Sequence, residues 1–167
     1  MRTRLTLPLL ALVMSIALSA CGFKLRGLHD VPEALRQVTL VVQKQPSRFE
    51  PELRRALATS RIAATAAARY RLEIISERHT QRTATLTGNA DAAEYELRSE
   101  VRFRVLDREQ DNRVLIPERV LVTERVYTND PDNITASTSQ EGLIRQQMQQ
   151  DLAQQMVRQY LSLKASS

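Results

Sequence analysis

Tryptophan is absent from this chain, and only three phenylalanines and four tyrosines stand in for it, so any core must rest on Leu, Val, Ile, Ala and Met. Four glycines leave no phosphate-cradling glycine loop, and no Gly-x-Ser-x-Gly elbow occurs. His29 and His79 are the only histidines and stand far apart, outside any ligand-spaced cluster, so a metal centre finds no support. A single cysteine, Cys21, excludes an internal disulfide, and folding relies on packing even in an oxidising compartment. Paired carboxylates such as Glu94 and Glu96 share a strand face, but arginines beside them make an ion-paired solvent face the simpler use. These absences weigh against an enzyme, and no cofactor or nucleic-acid partner is expected.

What is present begins at that cysteine. Leu18-Ser19-Ala20-Cys21-Gly22 follows an apolar stretch over residues 5–18, with Arg2 and Arg4 ahead of it. The stretch is too short to span a bilayer comfortably, the small residues suit a signal peptidase, and the thiol falls where lipidation uses it. This is a bacterial lipobox. It predicts removal of residues 1–20, an S-diacylglyceryl thioether on Cys21 and an N-acyl chain on its freed amino group. One chain anchors marginally at roughly 0.8 kcal/mol per buried methylene, whereas two or more hold durably.

The formal charge is +5; without Arg2 and Arg4 the 24 basic residues fall to 22 against 19 acidic, an excess of +3. Only Lys24, Lys44 and Lys164 are lysines, so the basic surface is guanidinium, whose planar fork suits carboxylate and phosphate. A phosphate-bearing ligand fits this chemistry. Composition alone favours a solvated face of interspersed arginine and glutamate.

Residues 21–36 read as an irregular lead in which Phe23, Leu25 and Leu28 can dock, and residues 37–163 as one domain followed by a tail, 164–167. A near-continuous apolar strand over 37–43 precedes a polar break and a helix with Pro51 in its first turn and Leu53, Leu57 and Ile62 along one face. A second strand starts at Tyr70 and runs toward Arg78; Gly88, Asn89 and Asp91 mark a turn. Tyr95, Leu97, Val101, Phe103 and Val105 then alternate with glutamates and arginines, which predicts a strand with one dry and one wet face. Residues 114–127 form its hairpin partner, with an irregularity at Pro117. A capping box at Ser137 with Gln140, or Thr138 with Glu141, opens a last helix striped by Ile144, Met148, Leu152, Met156 and Tyr160 and widened by Leu143, Val157 and Leu161. The predicted fold class is α+β, a two-layer sandwich in which two helices pack on one face of a four-stranded mixed sheet, the first two strands parallel if adjacent. His79 reads as an exposed residue of a strand extension.

Several segments together resemble the lipopolysaccharide-assembly lipoprotein family, LptE. They are Cys21-Gly22-Phe23-Lys24-Leu25-Arg26 after the lipobox, Val31-Pro32 before the first strand, Ala93-Glu94-Tyr95 opening the alternating strand, Asn129-Asp130-Pro131 after the last strand, and the terminal amphipathic helix. The resemblance implies an outer-membrane lipoprotein that sits as a plug in the β-barrel LptD, helps it assemble and assists insertion of lipopolysaccharide into the outer leaflet, with direct lipopolysaccharide binding. Gly22 suits that destination. It also implies partner contacts near Tyr95, Asn129 and Pro131. The loops at 88–91 and 130–139 carry no basic residue, so Arg78, Arg82, Arg119 and Arg125 are the candidates for ligand contact. The sequence leaves two other classes open, a lipoprotein regulator of a periplasmic peptidoglycan synthase and a lipid-anchored hydrolase.

Overall fold

The computed structural model describes residues 31–86, 88 and 92–163; the lipobox with Cys21, most of the lead, His29, Asn89, Asp91 and the tail lie outside the described residues. A short 3-10 turn, Glu33–Leu35, places Leu35 in the core at the entrance to β1 (Gln37–Val42). Helix α1 (Glu50–Thr59) follows with Pro51 in its first turn, and Leu53 and Leu57, four residues apart, are both fully buried. Its start is held from the sheet. The Glu77 carboxylate accepts from the Phe49 N–H at 3.3 Å and from the Ser47 hydroxyl, which in turn accepts from the Glu50 N–H at 2.8 Å. A negative charge there complements the helix dipole and satisfies otherwise orphaned donors.

α1 ends sooner than the apolar spacing predicts. Ser60 caps it and Arg61 turns the chain at φ 60°, so Ile62 enters the core from beyond the helix. With so few glycines, left-handed positions fall to Arg61, Asp111 and Asn112; the last two are residue types that tolerate that conformation. Next comes β2 (Ala63–Ala64), two residues paired in parallel with Gln37 and Val38 of β1. The sheet therefore has five strands, not the four expected. A two-residue alanine strand has neither alternation nor β-branched side chains to announce it.

Three long strands complete the sheet: β3 (Tyr70–Leu86), β4 (Ala92–Asp107) and β5 (Arg113–Thr128), in the order β2-β1-β3-β4-β5. β1 and β3 run parallel, as the strand-helix-strand opening requires, and β3, β4 and β5 are antiparallel. At about 3.3 Å per residue these strands extend roughly 50 Å. A bulge between Ile74 and Ser76 resets the alternation of β3, so that Glu77, His79 and Gln81 come to share the face of Leu72 and Ile74, opposite Val101, Ser99 and Leu97. A second shift sets Phe103 opposite Arg119 and Val105 opposite Ile116, which places Pro117 and Glu118 in the irregularity. The expected break at Pro117 is thus a β-bulge.

Helix α2 (Ile134–Leu161) lies over the same face as α1. Its cap is Asn133, whose side chain accepts from the Ala136 N–H at 3.2 Å, in place of the expected Ser137 or Thr138 boxes. Ser137 is already inside the helix, and its buried hydroxyl accepts from the Asp130 N–H at 3.0 Å, folding the preceding turn back on the first helical turn. Met148, Leu152, Ala153, Met156, Val157 and Tyr160 are buried as the stripe predicts. Leu143 is not: it is 63% exposed, because it lies about 100° around the helix from the half-buried Ile144. The main core joins Val38, Leu53, Leu57, Leu72, Ile74, Phe103, Val105, Leu152 and Met156, and a smaller cluster of Leu97, Tyr127 and Met148 lies toward the far end of the hairpin.

Candidate functional site

Both helices cover one face of the sheet, and the opposite face is open. On it the even-numbered residues of β4 meet β3 and β5 in a lattice of ion pairs. Arg82 grips Glu96 with two bonds of 2.7 Å, Arg98 bonds Glu100 at 2.6 Å and also Glu124, and Arg102 bonds Glu118 at 2.9 Å. Glu73, 7% exposed, is held between Arg104 at 2.6 Å and Arg71 at 2.9 Å. The bond from Arg82 holds the Glu96 carboxyl below the usual carboxylate range. Between these charges stand Val120, Val122 and Val126 of β5, exposed at 47%, 36% and 54%. Arg71, Arg78, Arg82, Arg98, Arg102 and Arg104 are balanced by Glu73, Glu94, Glu96, Glu100, Glu118 and Glu124. The face is therefore neutral in sum, so it offers no broad attraction for anions.

The four candidate ligand arginines divide between the two faces. Arg78 and Arg82 lie on the open face; Arg82 is committed to Glu96, while Arg78, exposed and in register with Glu100, makes no ion pair among the described residues. Arg119 and Arg125 point the other way, where they bond Gln159 and, at 2.6 Å, Asp151 of α2. The structure brings Tyr95, Asn129 and Pro131 together at the far end of the hairpin. Tyr95 packs on Tyr127 with ring centroids 5.7 Å apart, the Asn129 N–H donates to the Ala93 carbonyl at 2.8 Å, and Pro131 is exposed in the turn before α2.

Beneath that end lies a polar ring that sequence spacing only half reveals. Gln81 donates to the Tyr127 hydroxyl at 3.2 Å, and Tyr127 donates to Glu141 at 2.9 Å. Arg145 then donates to Glu141 at 2.7 Å and to the Gln81 side-chain oxygen at 3.0 Å, closing the circuit. Burial and the bond to Glu141 push the Tyr127 hydroxyl up to about 12. Burial opposes ionisation of Glu141, but the bonds from Arg145 and Tyr127 outweigh it and hold its carboxyl below the usual range. The Glu141 to Arg145 step of four is visible in sequence; the reach from Gln81 to Tyr127 is not.

His79 departs from the exposed position expected of it. The bulge turns it under the helix layer, half-buried, with Nδ1 3.0 Å from the Ser99 hydroxyl and Nε2 enclosed without a partner among the described residues. Burial lowers its pKa, Glu77 opposes that shift, and Arg145 and Arg48 reinforce it. Ser99 is 1% exposed, so its hydroxyl serves the buried contact with His79 and is not presented at the surface. Among the described residues no group of three or more His, Cys, Asp or Glu side chains is placed to hold a metal ion, and no helix is long and apolar enough to cross a membrane.

The chain is similar to known proteins at both sequence and fold level. It is 29% identical to the LPS-assembly lipoprotein LptE of Yersinia pestis over 170 aligned residues, covering 99% of this chain and 80% of the relative. Its fold resembles the solution structure of lipoprotein B from Nitrosomonas europaea, with a TM-score of 0.70 at 22% identity, covering 86% of this chain and 93% of that one. It also resembles the crystal structure of the rare lipoprotein B from Shewanella oneidensis, with a TM-score of 0.67 at 20% identity over 78% of this chain and 97% of that one. Residues 35–160, which take in all five strands, α1 and nearly all of α2, match the model of the LptE family, lipopolysaccharide-assembly, and the chain belongs to that family.

Proposed function

We propose that the chain is an outer-membrane lipoprotein, tethered through acyl groups on Cys21, that helps the β-barrel LptD assemble, sits in it as a plug and assists insertion of lipopolysaccharide into the outer leaflet. Membership of the lipopolysaccharide-assembly family over residues 35–160 carries this reading. The open face supports it: a broad, ion-paired, electrically neutral sheet with an exposed valine stripe fits a protein wall better than it fits a free anion. Asn129 and Pro131, at the far end of the hairpin, extend this contact past the sheet, with Tyr95 beside them on the helix side.

Direct lipopolysaccharide binding centres on Arg78, which is exposed and makes no ion pair among the described residues, Glu100 opposite it being bonded to Arg98. Arg82 contributes when it exchanges Glu96 for the ligand; Arg119 and Arg125, bonded to α2, contribute less.

Capture of the acylated protein from detergent-solubilised envelopes tests the partner. Recovery of a large outer-membrane barrel supports the reading, and recovery of a peptidoglycan synthase in its place rejects it. Depletion leaves LptD misassembled and lipopolysaccharide held back from the surface; normal amounts of both reject the role. Mass spectrometry of the mature N-terminus reads the anchor, and an unmodified residue 21 refutes it.

A further inference from the structure

The lower end of the sheet, where β1, β3 and β5 begin and β4 ends, differs in charge pattern from the open face. There Arg36, Arg61, Arg108 and Arg113 form no ion pair among the described residues, with Glu33, Glu109 and Asp111 as the counter-charges nearby in the chain; Glu109 leans on Arg69 at 3.5 Å. Arg36 donates to the Val31 carbonyl at 3.2 Å, Arg108 to the Ala68 carbonyl at 3.2 Å, and Arg113 to Gln110 at 3.1 Å. A crevice of about 650 Å³ opens at this end. Leu35, Tyr70, Leu115 and Leu163 give it an apolar wall, and Arg69 and Arg113 a basic one. Arg69 is spent on Asp107, which it holds through bonds of 3.1 and 2.7 Å, so the Asp107 carboxylate is neutralised and the charge of Arg113 stands unopposed by it.

Half apolar and half polar, with Arg113 as its one guanidinium not paired to a carboxylate, the crevice has the chemistry of an anionic amphiphile site: hydrocarbon against the leucines, a phosphate against the guanidinium. Its position names the source. Pro32 lines it, so the chain passes it immediately after Val31, ten residues from Cys21. Ten extended residues reach at most about 35 Å. An acylated Cys21 therefore tethers this end within about 35 Å of the leaflet that holds the anchor, a bound set by chain length alone. We propose that the crevice binds one anionic phospholipid of that leaflet, with its phosphate on Arg113 and its glycerol-proximal carbons on Leu35, Leu115 and Leu163. The assignment rests on the anchor reading above and adds a second, non-covalent hold that fixes which end of the fold faces the membrane.

Native mass spectrometry of the purified acylated protein in a neutral detergent tests it, with phosphatidylglycerol, phosphatidylcholine or lipopolysaccharide added separately. A single phosphatidylglycerol adduct is expected, retained about fivefold better than phosphatidylcholine, the effect of one arginine on an anionic lipid. Arg113→Gln removes that preference and Arg113→Lys keeps it; unchanged circular dichroism in both variants separates the effect from misfolding. Equal retention of the two phospholipids, an undiminished preference in Arg113→Gln, or retention of lipopolysaccharide but not of phosphatidylglycerol overturns the proposal. The intact mass of the same sample reports acylation of Cys21 independently, so an unacylated protein that still prefers phosphatidylglycerol through Arg113 refutes the anchor and leaves the crevice standing.

Discussion

The two faces of the sheet are built from the same three strands and follow different rules. Beneath the helices, Leu72, Ile74, Val101, Phe103 and Val105 are sealed against Leu152 and Met156, and each side chain is committed to folding. On the open side the same strands present arginine and glutamate in water-facing pairs, and such pairs contribute little to stability. One face makes the fold and the other is free to meet a partner. Charge there is arranged to cancel, which keeps an uncovered sheet soluble without making it a general anion trap.

Substitutions should expose this asymmetry directly. Phe103→Ala empties a fully buried site, and a loss of about 3–5 kcal/mol in urea unfolding is expected. Tyr127→Phe removes the hydroxyl that links Gln81 to Glu141; about 1–2 kcal/mol should go with it, and amide exchange should quicken at the start of α2. His79 gives a smaller, pH-dependent effect. Its folded pKa lies below the ordinary 6.5, so as pH falls through that value the unfolded chain takes up a proton that the buried ring resists, and stability drops. His79→Gln should flatten that decline between neutrality and about pH 5. The loss from Asp107 and Glu96, whose pKa values are also lowered, should persist in the variant, because it begins only as pH approaches their ordinary values of 3.8 and 4.5. Smallest of all, Arg102→Gln on the open face should move the unfolding free energy by less than about 0.5 kcal/mol. A loss as large as that of Tyr127→Phe would erase the distinction between the faces.

How much of this was legible in the sequence depends on the range of the interaction. β4 and α2 declare themselves because a period of two and a step of four survive uninterrupted over many residues. The parallel pairing of β1 with β3 follows from chain order and handedness. β2 was hidden because Ala63 and Ala64 carry no pattern, and its pairing is made by the neighbouring backbone of Gln37 and Val38. The sequence pattern puts His79 in the wrong environment because one extra residue at Ile75 inverts every position after it. The helix cap is not legible because Ser137 and Thr138 offer the same chemistry as Asn133, and only the fold of Asp130 back onto Ser137 decides between them. The division of the candidate arginines between two faces has the same origin: Arg78 and Arg119 are positioned by register, which no local motif encodes.

The most direct test replaces two exposed valines on the open face and leaves the helix face untouched. Val122→Lys with Val126→Lys keeps the core intact and sets each new charge opposite a glutamate, Glu100 and Glu96, so the unfolding midpoint should match that of the parent. Barrel captured by the acylated variant from solubilised envelopes should fall to a small fraction of the parental amount. Parental capture by a correctly folded variant would show that the open face is not where this protein meets its partner.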